Sequence, residues 1–490
     1  MIQHAPTLNS THPCKNWLTT PLWWMALACA GWWAIRCCKH PDFQFVRAVE
    51  TPFMLSIFCL AAWRARQAGR LAANVSRRLE SRLRLVASVL LAILVISQEG
   101  WFRWQQLQVL RGNAALARIG QHFVVGFLAF DDVQPLAERG LIGGIYITRR
   151  NLEGETVASL RKRIDELQAL RARAGLLPLF VAADQEGGTV SHLSPPIAYL
   201  PPLSSLLAAD PTNTKDTKNL ESRAYAYGEQ QGRSLARMGI NMNLAPVVDL
   251  KIEPREQWTD RYSRITQRAI DGDPEIVARV ATAYGQGLAA SGVLPTVKHF
   301  PGLGRVQADT HLVGASLTVD PAEQAADWLP FREVTARTGA AMMLAHVRLP
   351  AIDPDQPVSL SRTVVQDVLR KKDGDGWNYQ GLLITDDLDM GAVYDEGIGR
   401  AATAALDAGV DLILVSYDPD QYYRALYAAW QAWEQGTIDA GREAESANRL
   451  ILFWQEYKKS RAEAEQETVR RNLLPAQGQG ETCPRLSAIF

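Results

Sequence analysis

Asp309 and His311 lie two residues apart at the end of the stretch Lys298 to His311, KHFPGLGRVQADTH. A carboxylate beside an imidazole is an acid–base pair, because the anion fixes the ring's tautomer and favours its protonated form. Pro301, Gly302 and Gly304 break any regular element ahead of the pair, so a mobile loop is expected there. Such a loop can carry a proton donor onto a bound substrate. Lys298 and His299 directly follow the apolar run Val293 to Val297, which puts a cation and a second imidazole at the end of a strand.

Positioning these groups requires a scaffold, and the pattern from about Arg118 onward supplies one. Short apolar runs recur at His122 to Phe130, Gly143 to Thr148, Leu179 to Ala183, Asn241 to Val248, Leu294 to Val297, Ala340 to Ala345, Gly381 to Thr385 and Asp411 to Ser416. Amphipathic stretches separate most of them: Glu155 to Arg173, Pro274 to Ala290, Pro321 to Thr338 and Ile398 to Ala408. Strands alternating with helices over roughly 300 residues predict an α/β fold, a (β/α)8 barrel of the TIM type. A doubly wound open sheet is the alternative, but no Gly-rich phosphate turn follows the first strand. Asp439 to Lys459 reads as a closing helix, and Arg470 to Phe490 as a disordered tail.

In such a barrel chemistry sits at the C-terminal ends of the strands. Those ends are polar here. The third carries Asp184, Gln185, Glu186, Gly187 and Gly188; the fourth carries Asp249 and then a long loop with Arg261, Arg264 and Arg268. The fifth ends in Lys298 and His299, the sixth in His346, the seventh in Thr385, Asp386 and Asp387. A strand-end Asp often caps the next helix, so no single position is decisive, but five ends converging on one rim predict an active site. Carboxylates, cations and an imidazole in one cleft suit a polyhydroxylated substrate. A carboxylate such as Asp386 can attack an anomeric carbon or stabilise the charge developing on it, while an acid opposite protonates the departing oxygen. His311 is a candidate for that acid, oriented by Asp309. The spacing alone does not choose between Asp386 and Asp387.

The chain has 490 residues with 52 basic and 52 acidic side chains, so overall charge gives no argument for nucleic acid. Cys14, Cys29, Cys37, Cys38 and Cys59 precede the barrel and Cys483 follows it, which leaves the barrel indifferent to redox compartment. The first hundred or so residues are different in kind. Trp17 to Ile35 is uncharged and Trp-rich at both ends, close to a bilayer span in length. Thr51 to Trp63 is shorter than a confident span, and Leu85 to Ser97 is followed by Trp101, Phe102 and Trp104 in the manner of an interfacial belt. Buried helices of a small soluble domain are the competing explanation. Arg64, Arg66, Arg70, Arg77, Arg78, Arg82 and Arg84, opposed only by Glu80, are expected to stay cytoplasmic, so the barrel is expected outside the cytoplasm. The expected domains are 1–112, a hydrophobic membrane region; 113–460, the barrel; and 461–490, a tail.

The residues resemble those of a known family. KHFPGLGRVQADTH is similar to the KHFPGHGxxxxDSH signature of family 3 glycoside hydrolases, β-N-acetylglucosaminidase branch, and ITDDLDM (Ile384 to Met390) to that branch's nucleophile segment. DQEGG (Asp184 to Gly188), NLAPVVD (Asn243 to Asp249), PVSLS (Pro357 to Ser361) and ALDAGVDLILV (Ala405 to Val415) match in order, so the resemblance covers about Ile119 to Leu452. It implies a retaining hydrolase of terminal β-linked N-acetylglucosamine, without cofactor or metal. Asp386 is then the nucleophile, His311 the acid/base and Asp309 its partner. Asp184, Arg268, Lys298 and His299 hold the sugar, and Asp387 hydrogen-bonds to the scaffold. Three departures bear on this. Leu303 stands where the family has His; Thr189 and His192 replace two arginines; Ser263 to Gln267 lacks the usual Gly. The family's simplest members are cytoplasmic, which opposes the charge argument for an outside location. Two other functions fit parts of the pattern. One is a metal-dependent hydrolase with His299, Asp309, His311 and His346 around a divalent ion, although no HExxH-like spacing supports it. The other is a non-catalytic sugar-binding membrane protein, for which only the altered arginines speak.

Overall fold

The computed structural model describes residues 19–36, 40–208, 217–252, 262–394 and 397–473. Trp17, Arg261, Cys14, Cys37, Cys38, Cys483 and residues 474–490 lie outside that set. The chain forms two compact units, divided between Arg111 and Gly112.

In the second unit eight parallel strands form one nearly closed sheet: β1 (Phe123–Gly126), β2 (Gly144–Tyr146), β3 (Phe180–Ala183), β4 (Met242–Asn243), β5 (Leu294–Phe300), β6 (Ala341–Leu344), β7 (Leu383–Thr385) and β8 (Ile413–Val415). Each pairs with its neighbour in sequence, and β8 returns to β1 with Val124 opposite Leu414. A parallel bridge between Ile384 and Leu412 joins β7 to the start of β8, consistent with a TIM-type domain. Every expected apolar run contributes a strand, but most strands are shorter than their runs: the fourth run, Asn241 to Val248, gives only Met242–Asn243, and the first gives way early to a helix. Phe130 opens a helix, Phe130–Glu138, whose first turn is held by Asp132 accepting from the Ala129 amide at 2.9 Å. Hydropathy runs unbroken across that strand-to-helix junction, so only the cap marks it.

The helices Pro274–Ala290 and Pro321–Thr338 have the bounds their sequences predict, because their ends carry explicit stop and start chemistry. Asp273 and Asp320 cap the first turns, a proline follows each, and Gly339 closes the second helix at φ +65°. Inside the barrel Val124, Tyr146, Phe180, Met242, Met343 and Ile384 belong to one buried cluster with Trp454 of the terminal helix. Phe180 and Trp454 lie 4.7 Å apart at ring centres, so this helix plugs the end where β3 begins. The closing helix runs Ala440–Leu473, further than expected, and takes in 461–473 of the expected tail 461–490.

The first unit is helical: α1 (Thr19–Arg36), α2 (Arg47–Leu71) and α3 (Val75–Arg111). Leu27, Ala34, Met54, Phe58 and Val95 form its small core. Among the described residues one helix, Gln44–Leu71, is long and apolar enough to cross a membrane by length and composition. It contains the run Thr51 to Trp63, which looks too short when counted only between charges. The helix extends past both ends of that run, and 25 helical residues span roughly 38 Å.

Candidate active site

The C-terminal ends of β3, β4 and β5 assemble a buried charge cluster. Asp184 leaves β3 and accepts from Tyr146 Oη at 2.5 Å; its other oxygen pairs with Lys298 Nζ. Glu186 takes Arg268 in a bidentate clasp, 2.9 Å from Nε and 2.7 Å from Nη2, and also pairs with Lys298 at 2.6 Å. Burial works against ionising both carboxylates, but Lys298 beside Asp184, and Arg268 with Lys298 beside Glu186, hold both below their ordinary values. Burial likewise opposes charge on Lys298, and Asp184 and Glu186 outweigh it, so this lysine stays cationic. Gly187 makes the tight turn possible: its φ is +92°, and a Cβ there would lie 2.1 Å from Tyr227 Oη.

His299 completes this wall. Asp249 is fully buried and accepts from the His299 amide (3.2 Å), His299 Nδ1 (2.7 Å) and the Leu303 amide (2.7 Å). Arg268 Nη2 lies 3.2 Å from His299 Nε2. A guanidinium only donates, so Nε2 accepts and the ring proton sits on Nδ1 toward Asp249. Leu303, the position where the resembling family has His, is buried and serves Asp249 through its backbone alone.

Across the cleft, β7 delivers Asp386 and Asp387 into different surroundings. Asp387 accepts from Ser416 Oγ at 2.5 Å and from the amides of Ser416, Tyr417 and Asp389, each at 3.1 Å, so both its oxygens are committed to scaffold. Asp386 accepts only the Asp387 amide, at 2.9 Å, among the described residues. Burial raises the cost of its charge, yet the imidazoles of His299, His346 and His311 hold it below the ordinary carboxylate value. His346 lies against Ser359 Oγ at 2.7 Å through Nδ1 and against the Asp387 carbonyl at 2.9 Å through Nε2.

The loop after β5 brings Asp309 and His311 to the same rim. Asp309 accepts from the Tyr262 amide (2.7 Å), the Ser263 amide (3.3 Å), Ser263 Oγ (3.0 Å), the His311 amide (3.1 Å) and His311 Nδ1 (2.9 Å). Burial opposes its charge, and the His311 hydrogen bond with the two backbone donors lowers it well below the ordinary value. His311 keeps 42% of its side chain exposed, with Nδ1 tied to Asp309 and no hydrogen bond on Nε2 among the described residues. The Gly391 amide donates to the His311 carbonyl at 3.0 Å and the Ala392 amide to Thr310 at 3.3 Å, so the loop rests against the segment that follows Asp386.

Of the residues singled out from sequence, Asp184, Lys298, His299, Arg268, Asp309, His311 and Asp386 therefore meet at one rim. Arg264 is a surface residue at φ +47°, and Thr189 is exposed. His192 lies 3.3 Å from Tyr146 Oη through Nδ1. Tyr146, Ser263 and Glu186 take part without having been assigned roles. Glu186 was legible as a strand-end position, Tyr146 lay unmarked inside the run Gly143 to Thr148, and Ser263 lies in a loop with no pattern. Among the described residues no group of three or more His, Cys, Asp or Glu side chains is arranged to hold a metal ion. His299 and His346 moreover have both ring nitrogens engaged by protein groups.

Fold and site together define a glycosyl hydrolase: carboxylates, buried cations and an Asp–His pair around the strand-end mouth of a parallel barrel. The profile described as glycosyl hydrolase family 3 N terminal domain matches residues 116–452. A β-hexosaminidase of Nitrosomonas eutropha is 33% identical over 304 residues, covering 62% of this chain and 81% of that protein. The family 3 β-N-acetylglucosaminidase of Paenibacillus sp. FPU-7 superposes with a TM-score of 0.63 at 31% identity, covering 77% of this chain and 66% of that one. The β-N-acetylhexosaminidase of Beutenbergia cavernae gives 0.60 at 29% identity, over 70% and 99% of the two chains. The chain belongs to glycoside hydrolase family 3.

Proposed function

We propose that the protein is a retaining β-N-acetylhexosaminidase that releases terminal β-linked N-acetylglucosamine. The observation that carries this is the contrast between the two adjacent carboxylates. Asp387 is consumed by four scaffold donors, while Asp386 keeps an oxygen without a protein donor among the described residues. Asp386 is the nucleophile and stays ionised because imidazoles surround it. His311 gives its Nε2 proton to the departing oxygen and later takes one from water, with Asp309 fixing its tautomer. Asp184, Lys298, Arg268 and His299 bind the sugar. Glu186 holds both cations in place, and the buried quartet presents fixed donors and acceptors to sugar hydroxyls at little reorganisation cost.

Cell-wall glycans are the natural source of such residues on this reading, and the N-terminal unit is a membrane anchor. The helix Gln44–Leu71 and the exposed arginines on either side of the α2–α3 turn support an anchor whose Arg-rich end faces the cytoplasm, and on this reading the apolar run Leu85 to Ser97 of α3 crosses back, so that the barrel emerges outside. A cytoplasmic barrel is the alternative. The activity test is NMR of an aryl β-N-acetylglucosaminide digest, where β product appears first if configuration is retained. Asp386→Asn should abolish turnover while sugar binding persists. Inverted product at the earliest time points, or an active Asp386→Asn variant, refutes the mechanism.

A further inference from the structure

The acid side of a glycosidase cleft is also the side from which the leaving group departs, because the proton goes to its oxygen. What surrounds His311 therefore decides which leaving groups fit, and here the surroundings are unexpectedly apolar. The Tyr262 ring centre lies 6.3 Å from that of His311, with the planes 38° apart. The Tyr262 backbone amide donates to Asp309 at 2.7 Å, which fixes the residue beside the Asp309–His311 pair. Tyr262 is 51% exposed. On the chain side of His311, Leu312 and Val313 are 54% and 53% exposed, although their loop rests against Gly391 and Ala392. Tyr417, which follows β8 and gives its amide to Asp387, is exposed at the same rim. The terminal-sugar wall, by contrast, is built of charged and polar groups.

We propose that Tyr262 is the leaving-group platform of this enzyme, and that it takes a pyranose ring stacked on the tyrosine face. The proposal rests on the hydrolase reading above and adds the class of leaving group. A sugar ring carries an apolar C–H face that packs on an aromatic plane while its hydroxyls remain in water. A short alkyl leaving group offers no such face. Glycosides whose leaving group is itself a sugar are therefore preferred over methyl glycosides, and the preference resides in the Tyr262 ring.

The test compares kcat/KM of the full chain for N,N′-diacetylchitobiose and for methyl β-N-acetylglucosaminide. Both leaving groups are poor alcohols that need a proton, so the acid contributes to both reactions. An aromatic contact of this kind contributes a factor of roughly five to ten. Tyr262→Ala should lower the disaccharide-to-methyl ratio by about that factor, chiefly through KM. Tyr262→Phe, which keeps the ring, should restore the ratio. Equal losses on both substrates would make Tyr262 a structural support for Asp309 and overturn the platform. So would a wild-type enzyme that shows no preference for the disaccharide, which leaves the hydrolase reading standing. Wild-type turnover of neither substrate overturns both.

Discussion

Asp309→Asn separates an acid–base pair from a structural knot. Asp309 receives five hydrogen bonds, three on Oδ1 from Ser263 Oγ and the His311 amide and ring, and two on Oδ2 from the Tyr262 and Ser263 amides. An asparagine fits the same space but has one acceptor. With its oxygen toward the two loop amides, its NH2 faces His311 Nδ1 and forces the other tautomer. With its oxygen toward His311, its NH2 faces two backbone N–H groups. Either orientation loses the charge-assisted bond to an imidazolium, a contribution of about 1.5–3 kcal/mol, or roughly 10- to 100-fold in rate. That loss falls only on reactions that need the proton. For kcat/KM, which on the proposed mechanism reports steps through glycosyl transfer to Asp386, chitobiose should lose the full factor and a dinitrophenyl glycoside about twofold or less. His311→Ala should show the same asymmetry, more strongly. The measurement must be kcat/KM, because on the proposed mechanism hydrolysis of the glycosyl-enzyme uses the same histidine as base and will lower kcat for every substrate. Equal losses on both substrates, together with a lowered melting temperature, would show that Asp309 only ties Tyr262 and Ser263 to the loop.

Two further outcomes are expected. Asp327 is buried against Arg305, with one oxygen unpartnered, and burial raises its carboxyl from an ordinary 3.8 to about 6. A raised carboxyl is favourable to the fold while protonated, so its contribution is complete below about pH 4 and is lost as pH rises through 6. Asp327→Asn should therefore match wild type at pH 4 and exceed it at pH 8 by on the order of 2 kcal/mol in denaturant unfolding; a variant weaker at pH 8 contradicts this. The topology is checked by adding protease to intact spheroplasts: the barrel should be digested while a cytoplasmic control survives, and full protection until lysis would place the barrel inside.

The parts of this molecule that were legible in its sequence are those governed by short-range rules. Eight apolar runs gave eight strands because a barrel strand is buried on both faces, and Asp273-Pro274 and Asp320-Pro321 marked helix starts because caps act locally. What stayed illegible depends on partners far apart in the chain. Asp386 and Asp387 are equivalent as letters; they differ because Ser416 and Tyr417, at the end of the next strand, take up Asp387 and leave Asp386 alone. The same logic explains why losing a signature histidine at Leu303 does not dismantle the loop. Asp249 needs a backbone N–H from that position, which any residue but proline supplies, so the Leu303 side chain is free to be apolar. The two lost arginines are a different case, because no backbone group substitutes for a guanidinium. At one of those positions the structure offers His192, whose Nδ1 lies 3.3 Å from Tyr146 Oη beside Asp184, a shorter side chain without the guanidinium's fork of donors. Sugar contacts on that edge should therefore be more tolerant than those on the Arg268–Glu186 side, where both partners are locked by a bidentate pair.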